Sequence, residues 1–301
     1  MTTPFALAVL SSSAVSGTSL LYATLGELVG ERGGVVNLGL EGVMLVGASV
    51  GFAIGSSTAN PYAGIAAAAL AGMGATLLFG YVVIGRRANQ LASGLTLLFF
   101  GFGVSALIGR PFIGASIAGL PRLSLAGIGA FDLLVWLVAP TAVLLWWLLF
   151  RTRWGLALRA VGEDPAAAFA AGRRPDVIQY QALAIAGLLG GIGGAHLALA
   201  LALSWDEGMT AGRGFIAIAL VIFAKWNPLW AILGALVFGG AESLQLQLQA
   251  RGAEVSPFLM NMIPYLMTLL VLISWGLRRR AAAPAGLGRT YFGVESGAAI
   301  R

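Results

Sequence analysis

The feature that most constrains this chain is a series of apolar runs, each close to the length that crosses a lipid bilayer. Several windows of about twenty residues carry no charged side chain, which is the length of a transmembrane helix. Only 10% of the residues are charged, 58% are hydrophobic and the mean hydropathy is +0.89. Soluble domains average about 25% charged residues, so the sequence predicts an all-α, polytopic membrane protein.

The positive charges lie in short clusters between the apolar runs. The net charge is +6, but Arg86-Arg87, residues 151–178 and residues 278–280 alternate with apolar spans, as the positive-inside rule describes. This arrangement indicates membrane topology rather than nucleic-acid binding, and it predicts a cytoplasmic C-terminus. We expect roughly eight to ten transmembrane helices in a permease-like domain over 1–280, followed by a flexible tail over 281–301.

The residue inventory excludes several chemistries. The chain has no cysteine and a single histidine, His196, so it predicts neither a metal site nor a cofactor site. No GxxxxGK[ST] P-loop occurs, so ATP hydrolysis by this chain is not expected. Three functional hypotheses remain: a permease subunit, a secondary transporter driven by protons through Glu41 or Glu242, and an intramembrane enzyme using His196 with a carboxylate. The last is the weakest, because it lacks a metal-ligand set, and no catalytic residue is predicted.

Residues 26–55 hold the most unusual apolar stretch. Asn37 and Glu41 lie four residues apart in a predicted span from Val35 to Gly55, so a helix would place them on one face. A carboxylate at bilayer depth costs about 2.5–3.5 kcal/mol and therefore needs a cavity or a partner. Either the pair lines a solute path, or Glu41 bonds the free backbone of a broken helix. Asn37 and the N–H groups near Gly33-Gly34 are its nearest expected donors.

Small residues at a spacing of four predict close helix packing in two spans. In the predicted spans 35–55 and 179–203, these residues are Gly47, Gly51, Gly55, Gly187 and Gly191.

Several further polar residues have two possible roles each. Glu242 and Gln245 share a face of the predicted helix 229–249 and either line a hydrophilic passage or lie in the outer water layer. Asn261, in the predicted last span 258–277, either contacts a ligand or bonds a neighbouring helix. Glu27 and Glu31 are predicted to form a solvated cluster at the end of the first span, and the lone histidine is predicted to pack as a neutral side chain without a partner.

Two regions have the sequence pattern of interrupted helices. Residues 30–55 and 212–240 each combine Arg-Gly, a short apolar piece, an Asn and a Gly/Ala-spaced helix. The piece at 214–224 is too short to cross a bilayer alone at about 1.5 Å per residue. Paired broken segments are typical of transporters built from two repeats.

A further break is predicted in the first apolar stretch. The serines within 4–30 predict a short helix followed by a spanning one.

The longest hydrophilic stretch, residues 151–178, predicts two short amphipathic helices. A helical run at 156–161 is followed by Asp164-Pro165, an N-cap and a first-turn proline for the second helix. Such a pair either docks a soluble partner or lies on lipid headgroups.

Three segments, in their order along the chain, carry a family resemblance. GERGGVVNLGLEGVMLVGA, LRAVGEDPAAAFAAG and RGFIAIALVIFAKWNPLWAILGALVFG resemble the permease subunits of bacterial ABC importers for branched-chain amino acids, simple sugars and nucleosides. The first segment is most similar to permeases that work with basic-membrane-lipoprotein-type receptors. The resemblance implies a non-catalytic permease subunit that forms the path for a nucleoside or related purine compound. Simple sugars and branched-chain amino acids are the alternative cargoes.

The resemblance also implies partners and a location. It implies an ATP-binding cassette ATPase subunit, a second permease chain in a heterodimer, an extracytoplasmic substrate-binding lipoprotein and a bacterial inner membrane. It places the ATPase coupling helix at Leu156, Arg159, Gly162, Glu163, Asp164, Pro165, Ala167, Ala168 and Gly172. Two residues depart from the family pattern: Asp164 stands where asparagine is usual, and Arg173 where an aliphatic residue is usual.

Overall fold

The computed structural model describes residues 5–124, 129–250, 256, 262, 266, 269–270, 273 and 283–289. These residues are almost wholly helical, with one two-stranded antiparallel hairpin. The elements are α1 (Phe5–Arg32), α2 (Leu40–Ser57), α3 (Pro61–Gly80), α4 (Gln90–Gly109), β1 (Arg122–Ser124), β2 (Ala130–Asp132), α5 (Leu133–Arg151), α6 (Arg153–Glu163), α7 (Pro165–Ala170), α8 (Pro175–His196), α9 (Arg213–Phe223) and α10 (Pro228–Ala250). Helices α3 and α8 continue as π-helical turns, Tyr81–Gly85 and Leu197–Ala202.

Six of the described helices are long and apolar enough to cross a membrane, namely α2, α3, α4, α5, α8 and α10. The predicted all-α, polytopic class is therefore confirmed. Helices α2 and α8 form the centre, because 72% and 78% of their most apolar windows are buried within the chain. Asn261 lies outside the described residues, as does the predicted last span apart from isolated positions.

The predicted break in the first apolar stretch is wrong, because α1 is one helix of 28 residues. Several of its hydroxyl side chains bond within the helix instead of interrupting it. Ser13 Oγ donates to the Val9 carbonyl oxygen at 2.6 Å, and Thr18 Oγ1 donates to that of Ala14 at 2.7 Å. Bonding to the carbonyl four residues earlier lets serine and threonine stay inside a helix.

The predicted helical start at Val35 is also wrong. Helix α2 begins at Leu40, and residues 33–39 are non-helical. Gly34 has a φ of +87°, a conformation that glycine adopts without a steric penalty. Asn37 therefore precedes the helix and does not share a helical face with Glu41. The non-helical segment enters the fold ahead of a shortened span, as in discontinuous transporter helices.

Helix α9 is the second discontinuous element. It has 11 residues, which at about 1.5 Å per residue cover half of a hydrocarbon core about 30 Å thick. Residues 203–212 lead into it without regular helix, and Ala211 and Gly212 have positive φ values of 47° and 86°. The described residues thus include two helices, α2 and α9, that each follow a non-helical segment: residues 33–39 are mostly buried, whereas residues 203–212 are partly exposed.

Glycines set the distance between α2, α3 and α8. A Cβ at Gly47 would lie 2.5 Å from the Gly191 carbonyl oxygen, and a Cβ at Gly187 would overlap the Gly72 carbonyl oxygen. Cβ atoms at Gly51 and Gly55 would have their nearest contacts with side-chain atoms at 3.2 Å, but a Cβ at Gly64 of α3 would overlap the Gly51 carbonyl oxygen. The backbones of α2 and α3 therefore also approach closely along the second half of α2.

The connections gather at two ends of the helical layer. At one end, α6 lies beside residues 32–34, and Gln90 at the start of α4 bonds to Val36. At the other end, Ser116 pairs with Ser204 in an isolated antiparallel bridge, and the β-hairpin leads into α5. Residues 283–289, the described part of the tail predicted to be flexible, make hydrogen bonds at the first end.

Candidate functional site

Glu41 caps the N-terminus of the discontinuous helix α9. Its Oε1 accepts from Thr210 Oγ1 at 2.6 Å and from the Gly212 N–H at 2.7 Å, and its Oε2 accepts from the Gly214 N–H at 2.5 Å. The first backbone N–H groups of a helix have no partner within it, and a carboxylate there also meets the positive end of the helix dipole. The donors to Glu41 are thus one hydroxyl group and two backbone N–H groups at the start of a broken helix. They are not the Asn37 and Gly33-Gly34 groups expected from the sequence.

Gly214 lets the two discontinuous helices meet. A Cβ at this position would lie 2.5 Å from the Glu41 Cα, so any larger residue would push α9 away from α2. We call the contact of Glu41 with residues 210–214 the α2–α9 junction.

Arg213 and Glu242 extend the junction towards α10. They form an ion pair, in which the arginine is mostly buried and the glutamate is about one-third exposed, with side-chain exposures of 13% and 35%. Within the described part of the chain, Arg213 Nη1 has no hydrogen-bond partner. Gln245, one turn further along α10, is half-buried. This partner of Glu242 could not be predicted from the local sequence pattern, because Arg213 lies 29 residues away.

Asn37 is fixed by a glutamate of α1. The Asn37 N–H donates to Glu27 Oε1 at 2.8 Å, and Asn37 Oδ1 accepts from the Gly39 N–H at 2.9 Å. These bonds satisfy backbone N–H groups of a buried, non-helical segment, where an unpaired polar group would be costly.

The prediction of a solvated Glu27 and Glu31 cluster is wrong, since the two residues are only 1% and 2% exposed. Each has a buried partner that lies outside the local sequence pattern. Trp226, just after α9, donates from Nε1 to Glu31 Oε2 at 2.6 Å, and its carbonyl oxygen accepts from Arg32 Nε at 2.9 Å. The second discontinuous helix is thus held at both ends, by Glu41 at its start and by α1 at its finish.

The 151–178 loop forms the predicted pair of short helices. Asp164 Oδ1 accepts from the N–H groups of Ala166 and Ala167 at 2.9 and 3.1 Å, and Pro165 occupies the first turn, so the predicted cap is confirmed. The exposed large apolar side chains of the two short helices are Leu156, at 60%, and Phe169, at 48%.

The predicted coupling residues divide by exposure. Glu163, Asp164 and Ala167 are exposed, Arg159 and Pro165 are half-buried, and Gly162 and Ala168 are buried within the chain. Ala168, only 4% exposed, packs inward and presents no surface to a partner. Gly172 ends α7 with a φ of +77°, and Arg159 lies over the Phe150 ring at 5.2 Å.

The 151–178 loop touches the non-helical segment before α2. A Cβ at Gly162 would overlap the Arg32 carbonyl oxygen, and a Cβ at Gly33 would lie 2.9 Å from Leu158 Cδ1. Gln179 Nε2, on α8, donates to the Gly33 carbonyl oxygen at 2.9 Å. A displacement of α6 would therefore press directly on residues 32–34.

A cavity of about 710 Å³ opens at the opposite end of the fold. Ser11, Ser12, Ser16, Arg122 and Asp132 supply its polar lining. Its volume lies in the range of small-molecule sites, roughly 300–1,000 Å³.

His196 has a partner near this cavity that sequence reasoning missed. The buried imidazole Nε2 lies 3.5 Å from Asp132 Oδ2, while Asp132 Oδ1 caps α5 through the N–H groups of Leu134 and Val135. Burial alone would raise the pKa of the Asp132 carboxyl, but the histidine and the two backbone donors hold that pKa below its usual value.

The described residues contain no group of three or more His, Asp or Glu side chains placed to hold a metal ion. The polar groups of the α2–α9 junction bond chiefly to one another and leave few side-chain atoms unpaired. Such a junction can hold a passage open or closed, and it is not built to grip a ligand tightly.

Comparison with known proteins gives a family match over most of the chain. Residues 9–272 match the family described as branched-chain amino acid transport system / permease component. A relative from Haloferax volcanii, named Putative glucose ABC transporter permease protein TsgC13, is 34% identical over 95% of this chain and 98% of its own. No solved structure matches.

Two further relatives are named for nucleosides. Guanosine ABC transporter permease protein NupQ of Bacillus subtilis is 33% identical over 94% of this chain and 96% of its own. Nucleoside ABC transporter permease protein NupC of Lactococcus lactis is 34% identical over the same shares, 94% and 96%.

Proposed function

This chain belongs to the branched-chain amino acid transport system permease family, and from that membership we propose that it forms the membrane path of a nucleoside importer. It is a non-catalytic, multi-pass permease subunit of an ABC transporter, and it works with an ATPase subunit and a substrate-binding protein. The observation that carries the nucleoside proposal is the similarity to guanosine and nucleoside permeases over 94% of the chain.

We place the solute path beside the α2–α9 junction. Glu41 and Asn37 hold the starts of the two discontinuous segments, and the Arg213–Glu242 pair brings polar groups from α9 and α10 to the same place. Transporter sites typically lie between such broken helices. Weak binding suits this role, because a solute delivered by a receptor must also leave rapidly.

The solute class is tested by ATP hydrolysis of the assembled transporter with its binding protein. We expect guanosine to stimulate hydrolysis and glucose to leave it at the basal rate. A second candidate, a sugar permease, is favoured by the Haloferax volcanii relative. Stimulation by glucose and not by guanosine would replace the nucleoside proposal with that one.

We propose that a second, related permease chain completes the path as a heterodimer. The described residues hold a single α2–α9 junction, and the family to which the chain belongs consists of transport-system components. Two differently tagged copies of this chain would then fail to copurify in one complex, whereas their joint recovery would indicate a homodimer.

We place the 151–178 loop and the C-terminus in the cytoplasm. The loop shares its end of the fold with Arg86 and Arg87, and clustered arginines favour the cytoplasmic side. Ala167 and Ser116 are exposed at opposite ends, and the chain has no cysteine of its own. In intact cells, an impermeant thiol reagent should label S116C and spare A167C. Labelling of A167C from outside would reverse the orientation.

A further inference from the structure

Residues 283–289 lie across the contact between the 151–178 loop and the segment before α2, and we call them the C-terminal strap. The Gly286 N–H donates to the Gly162 carbonyl oxygen at 2.9 Å, and the Ala285 N–H donates to Glu163 Oε2 at 3.1 Å. The Gly288 N–H donates to the Gly34 carbonyl oxygen at 3.2 Å. The strap therefore bonds to the end of α6 and to the non-helical segment at once.

Gln90 joins the strap to the same segment from the start of α4. Its Nε2 donates to the Arg289 carbonyl oxygen at 3.2 Å and to that of Gly34 at 3.4 Å, while its Oε1 accepts from the Val36 N–H at 2.9 Å. The side chain is 3% exposed. One buried amide thus bonds to both edges of the contact, and its four-way hydrogen-bonding capacity is almost fully used.

The strap is packed as well as hydrogen-bonded. Pro284 and Gly286 are buried, and Leu287 packs on the main apolar cluster of the fold. A Cβ at Gly286 would lie 2.7 Å from the Gly162 carbonyl oxygen, so this position requires glycine for the observed approach. A segment held in this way moves together with the residues it touches.

We propose that the C-terminal strap is a positioning element that makes α6 and residues 33–36 move as one unit. In this role, it transmits the displacement of the 151–178 loop to the start of α2 and so to the α2–α9 junction. The proposal rests on the proposed function, since it assumes that the ATPase acts on this loop. The packing of α6 on residues 32–34 can push this segment in one direction only, whereas the hydrogen bonds of the strap also let α6 draw it back. Without the strap, only the push would remain.

The test compares uptake per ATP hydrolysed in the complete transporter, reconstituted with its ATPase and binding protein. Gly286→Val inserts a side chain against the Gly162 carbonyl. Hydrolysis and ATPase association should stay near wild type, while uptake per ATP should fall by about tenfold or more. Ala285→Ser is the matched control, because this exposed residue contributes only its N–H, and its ratio should not change. An unchanged ratio in Gly286→Val would overturn the proposal.

A thiol probe reports whether the strap has moved. In the cysteine-free chain, L287C should react slowly with a thiol reagent and should react faster when combined with Gly286→Val. Reactivity that stays the same would contradict the packing on which the proposal depends. If Gly286→Val fails to assemble, Gly286→Ala is measured in its place. If assembly falls but the remaining complex keeps a normal uptake per ATP hydrolysed, the proposal is overturned.

Failure of the strap and failure of the proposed function give different results. If the chain is not an ATP-driven permease, the wild-type complex itself will not couple uptake to hydrolysis. If only the strap proposal is wrong, wild type and Gly286→Val will couple equally well.

Discussion

Glu41→Leu should reduce uptake by at least about a hundredfold, since it leaves three donors at the start of α9, two of them buried and one half-buried, without a partner. The donors are the Thr210 hydroxyl and the N–H groups of Gly212 and Gly214. Each unpaired buried donor costs roughly 1–3 kcal/mol, and the variant also loses the interaction with the helix dipole. Uptake of labelled guanosine into proteoliposomes measures the effect, with recovery of the assembled complex followed on the same samples.

Glu41→Gln is the matched variant. It keeps an acceptor for Thr210 and Gly212 but turns an amide N–H group towards the Gly214 N–H. It should therefore assemble and retain uptake within about tenfold of wild type. If Gln and Leu are equally inactive in an assembled complex, then the charge itself acts in transport, as in proton coupling. Wild-type uptake in both variants would remove any special role for Glu41.

Phe169→Glu should weaken binding of the ATPase subunit by at least about tenfold and should lower uptake in proportion. Phe169 is 48% exposed on α7, and Leu156 is 60% exposed on α6. A carboxylate buried in an apolar contact loses its hydration without gaining a partner. Since the side chain lies on the outside of the chain, membrane insertion should be unaffected. Copurification of the ATPase with the tagged permease measures the association.

Phe169→Leu is the control, because it keeps an apolar side chain of similar size and should retain the ATPase. Ala168 is unsuitable for this test, although the sequence suggested it, since it is buried and a charge there would disrupt the chain itself. Normal ATPase recovery with Phe169→Glu would mean that this surface does not dock the ATPase, and that the short helices lie on lipid headgroups instead.

Most spanning helices could be predicted from the sequence because their signal is local. An apolar run of about twenty residues bounded by charges has few alternatives in a membrane. The cap by Asp164 was predictable for the same reason, since its donors lie two and three residues away. The start of α2 was not, because Val35, Val36 and Leu38 are as apolar as a helix interior.

The partners of the buried charges could not be predicted because they are distant in sequence. Glu31 and Trp226 are 195 residues apart, and Glu41 and Gly214 are 173 apart. The glutamates of α1 therefore looked like solvated end charges, and the lone histidine looked unpaired. The Arg-Gly pair at 213–214 was the one available signal, since it marked a second broken segment but not which carboxylate would cap it.

This permease should move its solute only when a separate ATPase hydrolyses ATP. The most direct test is uptake of labelled guanosine into proteoliposomes that contain the complete transporter and its binding protein. We expect uptake with ATP and none with an imposed proton gradient in its absence. Uptake driven by the gradient without ATP would contradict the account and would identify the chain as a secondary transporter.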